Sequence, residues 1–242
     1  MSVPVWVAEL AAIFWSRAKK QEPFPRNLCK AIARAVPVTV VLLPRLTIVT
    51  ALRWLKDIGI ICELGARERR LRACLIARYG AGVVLIDGSD SDAEQRFSIA
   101  HELAHFLRDY WRVRVPVKKR LGVAVLEVMD GERPPTPQER LHALLRNSPI
   151  GFHVHLMERD GEGRPMSSEA VDAEESADRL AYELLAPAEH VLADAAAQGG
   201  RRLAERLQVH YGLPRLQATR YARILLPRPN TDPLLLRLRT VM

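Results

Sequence analysis

Apolar residues recur at helical spacing from Val5 to about Lys20, and Gln21-Glu-Pro-Phe-Pro25 ends that pattern. A second short helix is predicted over Leu28–Ala35. Pro37 and Pro44 bracket the apolar run Val38-Thr-Val-Val-Leu-Leu43, whose periodicity leaves its form open. Leu46, Val49, Leu52, Trp54 and Leu55 restore the helical period to Ile58, and Gly59 is a natural stop. The period then changes. Ile60–Leu64, Leu71–Ala77 and Gly82–Asp87 are short runs separated by charged or Gly-containing turns, which predicts a small antiparallel sheet. Ser91-Asp-Ala-Glu94 is a capping box that opens a helix just beyond the last strand.

Further along, Lys118–Met129 is expected to be helical. Thr136-Pro137-Gln-Glu139 starts a helix expected to reach Leu145. Gly151–Glu158 alternates like a strand, with His153 and His155 on one face and Phe152, Val154 and Leu156 on the other. Asp160–Pro165 reads as a loop and Ser168–Ala186 as a strong helix ended or kinked by Pro187. A helix over 188–198, a Gly-Gly break, two short helices between Arg201 and Leu225, and a Pro-rich then Leu/Arg-rich tail complete the chain. No internal repeat is evident.

The length of 242 residues allows one large domain or two small ones, and an apolar content of 48% suffices for a sizeable core. No apolar run reaches membrane-spanning length, and the first residues lack a signal-peptide pattern. Cys29, Cys62 and Cys74 are odd in number and lack metal-type spacing, so they read as reduced, mostly buried thiols of a cytoplasmic protein. The formal charge of +8 permits nucleic-acid binding without requiring it.

The predicted helix after Ser91 carries His101-Glu102-Leu-Ala-His105. Residues four apart share a helix face, so His101 and His105 offer two imidazoles to one metal ion. Glu102 lies one step round the helix, beside the ion rather than on it. Two neutral nitrogens, an open position for water and a carboxylate to take its proton are what a catalytic zinc requires. Such a site binds metal less tightly as its histidines protonate, below about pH 6 for ordinary imidazoles. A third protein ligand is needed. Glu174 and Asp178, one helical turn apart, are candidates for the ligand and for a hydrogen-bond acceptor behind a ligating histidine. Glu175 is the fallback ligand; a merely solvated acidic face, shared with Asp172, is the plainer alternative.

Phe97-Ser-Ile-Ala-His-Glu-Leu-Ala-His-Phe106, followed by Glu174-Glu-Ser-Ala-Asp-Arg-Leu-Ala-Tyr-Glu-Leu-Leu-Ala-Pro187, resembles the ImmA/IrrE metallopeptidases. The likeness spans roughly residues 45 to 225. Leu180 and Ala186 depart from the family's usual Phe and Met, and the stretch from His105 to Glu174 is long. The resemblance implies an α+β, gluzincin-like core: a small antiparallel sheet packed on the His-Glu-x-x-His helix and on a second, Glu-bearing helix. It divides the chain into an N-terminal helical segment (1–44), a zinc peptidase core (45–198) and a C-terminal helix-turn-helix-like pair with the tail (199–242). It implies one zinc ion on His101, His105 and Glu174, Glu102 as the base, and cleavage of a transcriptional repressor in a stress or mobile-element switch. Zinc peptidases of this plan also hold extended substrates on an edge strand, for which Gly82–Asp87 is the candidate and an ordinary sheet strand the equal alternative.

Stabilising the oxyanion needs a further side chain opposite the metal. His153, His155 and Tyr182 are candidates, with Tyr110 a rival; each is more often structural. His190 and His210 read as surface residues, and His142 has no evident partner. The arginines between Arg201 and Arg223 suggest a second class of function, a DNA-binding or adaptor protein that keeps the peptidase fold. Packing of these helices on the core is favoured over that role. Hydrolysis of a non-peptide amide is a third possibility at the level of motifs.

Overall fold

The computed structural model describes residues 3–62, 64, 68–141, 150–158, 167–198 and 203–226. His142, the far end of the helix expected to reach Leu145, the loop at Asp160–Pro165, the Gly-Gly break and the tail from Pro227 lie outside the described residues. The fold is α+β. Helices α1 (Val5–Ala18) and α2 (Leu28–Ala35) precede strand β1 (Val38–Leu43) and helix α3 (Ile48–Asp57). Strands β2 (Leu71–Arg78) and β3 (Ala81–Asp87) form a hairpin that leads into α4 (Asp92–His105). A π-helical turn, Phe106–Trp111, carries the chain on into α5 (Arg112–Leu121). Then come α6 (Val125–Met129), α7 (Pro137–Leu141), strand β4 (His153–Glu158), α8 (Ser168–Leu185), α9 (Ala188–Gln198), α10 (Leu203–Val209) and α11 (Arg215–Leu225).

The sheet is mixed, not antiparallel, with strand order β1-β3-β2-β4. The run between Pro37 and Pro44 becomes β1 and pairs parallel with β3, with α3 between them in the chain. Parallel neighbours need such a crossover, whereas the two-residue turn at Tyr79-Gly80 makes β2 and β3 antiparallel. Residues 60–62 and 64, expected to begin a strand, lie outside any regular element. Strand β3 is flanked on both sides, so it is not an edge; among the described residues β1 and β4 are the edges.

Alternation along the strands splits the apolar residues between two cores. Ala73, Leu75, Ala77, Val84 and Ile86 face α4 and α8 in the larger cluster. Leu71, Cys74, Ile76 and Leu85 face α3 in the smaller one, with Phe152, Val154 and Leu156 of β4. His153 and His155 therefore point to the α4 side, as their spacing predicted. An irregularity in the β2–β4 ladder between Leu71 and Ala73 lets both residues keep their faces. The larger cluster takes Phe14 and Ile32 from the N-terminal helices, and Leu207, Tyr211 and Tyr221 from the C-terminal ones. At Gly82 a β-carbon would come within 3.0 Å of the Phe106 ring, so glycine there lets the π-turn lie directly on the sheet. No helix of the described residues is long and apolar enough to cross a membrane.

Candidate metal centre

Local sequence fixes the two helices that matter. Ser91 caps α4 by accepting from the Glu94 amide, and Asp92 and Glu94 sit in its positive first turn. Ser167 caps α8 in the same way through the Ala170 amide. Ala100, Leu103 and Ala104 bury one side of α4 completely, and Ala177, Leu180 and Ala181 do so on α8. These stripes press the helices together and set His101, Glu102 and His105 beside Glu174 and Asp178.

His101 Nδ1 lies 2.9 Å from Asp178 Oδ1, and His105 Nδ1 lies 2.8 Å from Asp109 Oδ2. A carboxylate only accepts, so both Nδ1 atoms carry a proton, and each Nε2 is the nitrogen left to meet a cation, or a proton in its place. Those two Nε2 atoms face each other at 3.2 Å. Two lone pairs at that distance repel unless a proton or a cation lies between them. Glu174 completes the group, with Oε2 3.2 Å from His101 Nε2 and Oε1 3.5 Å from His105 Nε2. Ligands about 2.0–2.1 Å from a tetrahedral zinc are separated by roughly 3.3 Å. The two imidazole nitrogens and the Glu174 carboxylate, which offers one oxygen to each, thus lie at separations close to those of three ligands on one zinc ion.

His155 stands beside this triangle and belongs to the same cluster of possible ligands. Its Nδ1 donates to Glu102, 2.9 Å from Oε2 and 3.1 Å from Oε1, and its Nε2 donates to Glu174 Oε1 at 2.8 Å. With a carboxylate at each nitrogen the ring is an imidazolium. It stacks on His105 with ring centres 3.7 Å apart, whereas His101 and His105 are 4.9 Å apart. Two imidazoles on one tetrahedral ion have centres roughly 5 Å apart. The first pair has that geometry and the stacked pair does not, so His155 flanks the ion position rather than occupying a corner.

The electrostatics agree. Burial alone would lower the pKa of His101, but the Asp178 and Glu174 carboxylates overcome it and raise it to about 9. Burial likewise opposes a charged His155, and Glu102 with Glu174 raises it to about 10. Glu174, against its own burial, is held far below the usual carboxylate range by His101, His105 and His155. Asp109 is lowered by His105 and Arg108 despite burial. The cluster is built to surround positive charge. The Glu102 side chain is fully buried and those of His101 and His105 keep 3% of their surface, but that of Glu174 keeps 40%, so the site opens on the Glu174 side.

The other candidates lie elsewhere. The Tyr182 hydroxyl donates to Gln217, and burial raises its pKa. The Tyr110 hydroxyl accepts from the Gly80 amide. His153 stacks on Tyr110, its buried Nε2 has no partner among the described residues, and burial lowers its pKa. Glu175 is paired with Arg179, at 3.7 Å. Sequence reasoning missed Asp109, although it stands four residues after His105, the same spacing that marked the two histidines.

The sequence model of the peptidase family described as the IrrE N-terminal-like domain matches residues 63–113. That stretch holds β2, β3, α4 and the π-turn, and so includes His101, Glu102 and His105; β4 and α8 lie beyond it. No curated protein and no solved structure matches the chain. The match falls on the hairpin and helix that build the His101–His105 side of the cluster, so over these residues the chain is similar to the IrrE N-terminal-like peptidase domain.

Proposed function

We propose that this chain is a zinc-dependent endopeptidase with a gluzincin-like core, and that its substrate is a protein, a DNA-binding transcriptional repressor cut in a stress or mobile-element switch. The observation that carries the metal reading is the pair of Nε2 atoms 3.2 Å apart, each ring oriented by a carboxylate at Nδ1, with Glu174 closing the triangle. The substrate class rests on the family and on the open Glu174 side of the cleft.

In this reading His101, His105 and Glu174 hold the ion. Asp178 and Asp109 fix the imidazole tautomers, a role that outer carboxylates play behind metal-ligating histidines. Zinc, when bound, supplies Lewis-acid activation of water and of the scissile carbonyl. Glu102 accepts the proton of the attacking water and returns it to the leaving amine nitrogen, base first and acid second. His155 touches Glu102 and Glu174 together with both of its N–H groups, so it is assigned to stabilise the negative charge on the carbonyl oxygen through the Nε2–H that Glu174 would release on holding the ion. An extended substrate has a place on β4, which among the described residues pairs with β2 alone, carries His155 and forms an edge of the sheet.

Glu102→Gln tests this. It keeps the shape and a hydrogen bond but accepts no proton at neutral pH. The variant should fold, retain zinc, bind the repressor, and cut it slower by a factor on the order of 10²–10⁴ in a gel assay. Cleavage at the wild-type rate would show that Glu102 is not the base, and loss of zinc would make it a ligand.

A further inference from the structure

We propose that Arg108 is the strut that sets the distance between the two halves of the metal site, a positioning role that rests on the zinc reading above. The ligands come from two helices far apart in the chain, His105 at the end of α4 and Glu174 in α8. Arg108 lies in the π-turn three residues after His105. Its Nε donates to Asp109 Oδ1 at 2.5 Å and its Nη2 to Asp109 Oδ2 at 3.0 Å. Its remaining arm, Nη1, donates to the carbonyl oxygen of Ala173 at 2.7 Å. Asp109 holds His105 Nδ1, and the Ala173 carbonyl belongs to the peptide bond that leads into Glu174.

One guanidinium is therefore bonded at one end to the group that orients His105 and at the other to the backbone that carries Glu174. The guanidinium is planar and its N–H directions are fixed, so the separation of those attachments is fixed too. The side chain keeps only 16% of its surface, which favours these bonds over competing water. A lysine has the charge but not the fork. Exposed ion pairs usually contribute little to stability, so an effect confined to the metal distinguishes a strut from an ordinary pair. A π-turn is a common device where a helix must place side chains for a site, and here it puts Arg108 and Asp109 side by side behind His105.

The experiment compares the full chain with Arg108→Met and Arg108→Lys, with Arg133→Met as a control. Arg133 bonds Glu127 and Glu139, a separate arginine network. Zinc affinity is read by chelator competition, and ligand geometry by the visible absorption of the cobalt(II)-substituted protein. Both Arg108 variants should bind zinc about 10–100-fold more weakly, the range for losing an outer partner of a metal ligand. Their cobalt spectra should shift, and the control should match wild type in both. Zinc affinity within twofold of wild type overturns the proposal, as does weaker binding with an unchanged cobalt spectrum, which is mere destabilisation. Full affinity in Arg108→Lys shows that charge suffices and removes the strut. Should Arg108→Met fail to fold, Arg108→Lys decides, because it keeps the stem and the charge and loses only the fork. A wild-type chain that takes up neither metal would overturn the zinc reading itself.

Discussion

At the scale of single residues, the cluster balances charge with whatever cation is present. Without metal, protons serve. His101 and His155 have pKa values raised to about 9 and about 10, above the ordinary imidazole value near 6.5. A raised folded-state pKa means that the folded protein holds these protons more tightly than the unfolded chain. The stabilisation is complete below about pH 6.5 and is lost as pH climbs through 9 to 10. Metal-stripped protein should therefore lose melting temperature between pH 7 and pH 10. Zinc-loaded protein should lose less, since the ion supplies the positive charge. Melting curves of both forms at pH 6.5, 8 and 10 check this, and a stripped protein with a flat profile would contradict it.

The motif was legible because helical geometry alone brings His101 to His105 and Glu174 to Asp178. What joins the two pairs is tertiary, and there the reading leaned on family resemblance. His155 was assigned to the correct strand face by alternation, but its bonds to Glu102 and Glu174 depend on the β2–β4 register, which no local pattern encodes. Tyr182 satisfied the same sequence criteria, yet its hydroxyl is taken by Gln217.

At the scale of elements, the long periodic helices and the strand runs Leu71–Ala77 and Gly82–Asp87 read correctly, whereas the strand expected at Ile60–Leu64 is absent from residues 60–62 and 64, and the pattern of Val38–Leu43 leaves its form open. Val38–Leu43 lacks any period because β1 has the sheet on one side and apolar contacts on both faces, from Val38 and Val40 to the larger core and from Val41 and Leu43 to the smaller. The π-turn was not legible, since its sequence continues an ordinary helical pattern. Beyond it, α5 and α6 are held to the β2–β3 hairpin by a buried pair. Arg114 donates twice to Asp130, at 2.8 Å each, and Asp130 also accepts from the Tyr79 amide. Removing one partner of a buried pair leaves an uncompensated charge, at a cost of about 3–5 kcal/mol. Asp130→Ala should lower stability by that amount in urea unfolding, with the slope unchanged. A loss under 1 kcal/mol would mean that the pair is solvated.

At the scale of the whole molecule, α1, α2, α4 and α8–α11 share the larger core on one face of the sheet, and the C-terminal pair contributes Leu203, Leu207, Ala218 and Tyr221 to it. Such packing gives those helices a structural role. Arg220 is 55% exposed by side chain and lies 4.0 Å from Asp178, at the border of the metal site, and Arg223 is exposed. Weak, salt-sensitive association with DNA is the expected behaviour of a +8 chain, with no sequence-specific footprint. A footprint lost in the Arg220→Ala, Arg223→Ala double variant would instead support the DNA-binding reading.

The most direct test of the account is the metal content of the purified chain. One zinc per chain is predicted for the wild type and for Glu102→Gln, with near-complete loss in His101→Ala, His105→Ala and Glu174→Ala. Unchanged zinc in the two histidine variants, or a wild-type chain that binds none when supplied with it, would contradict the account.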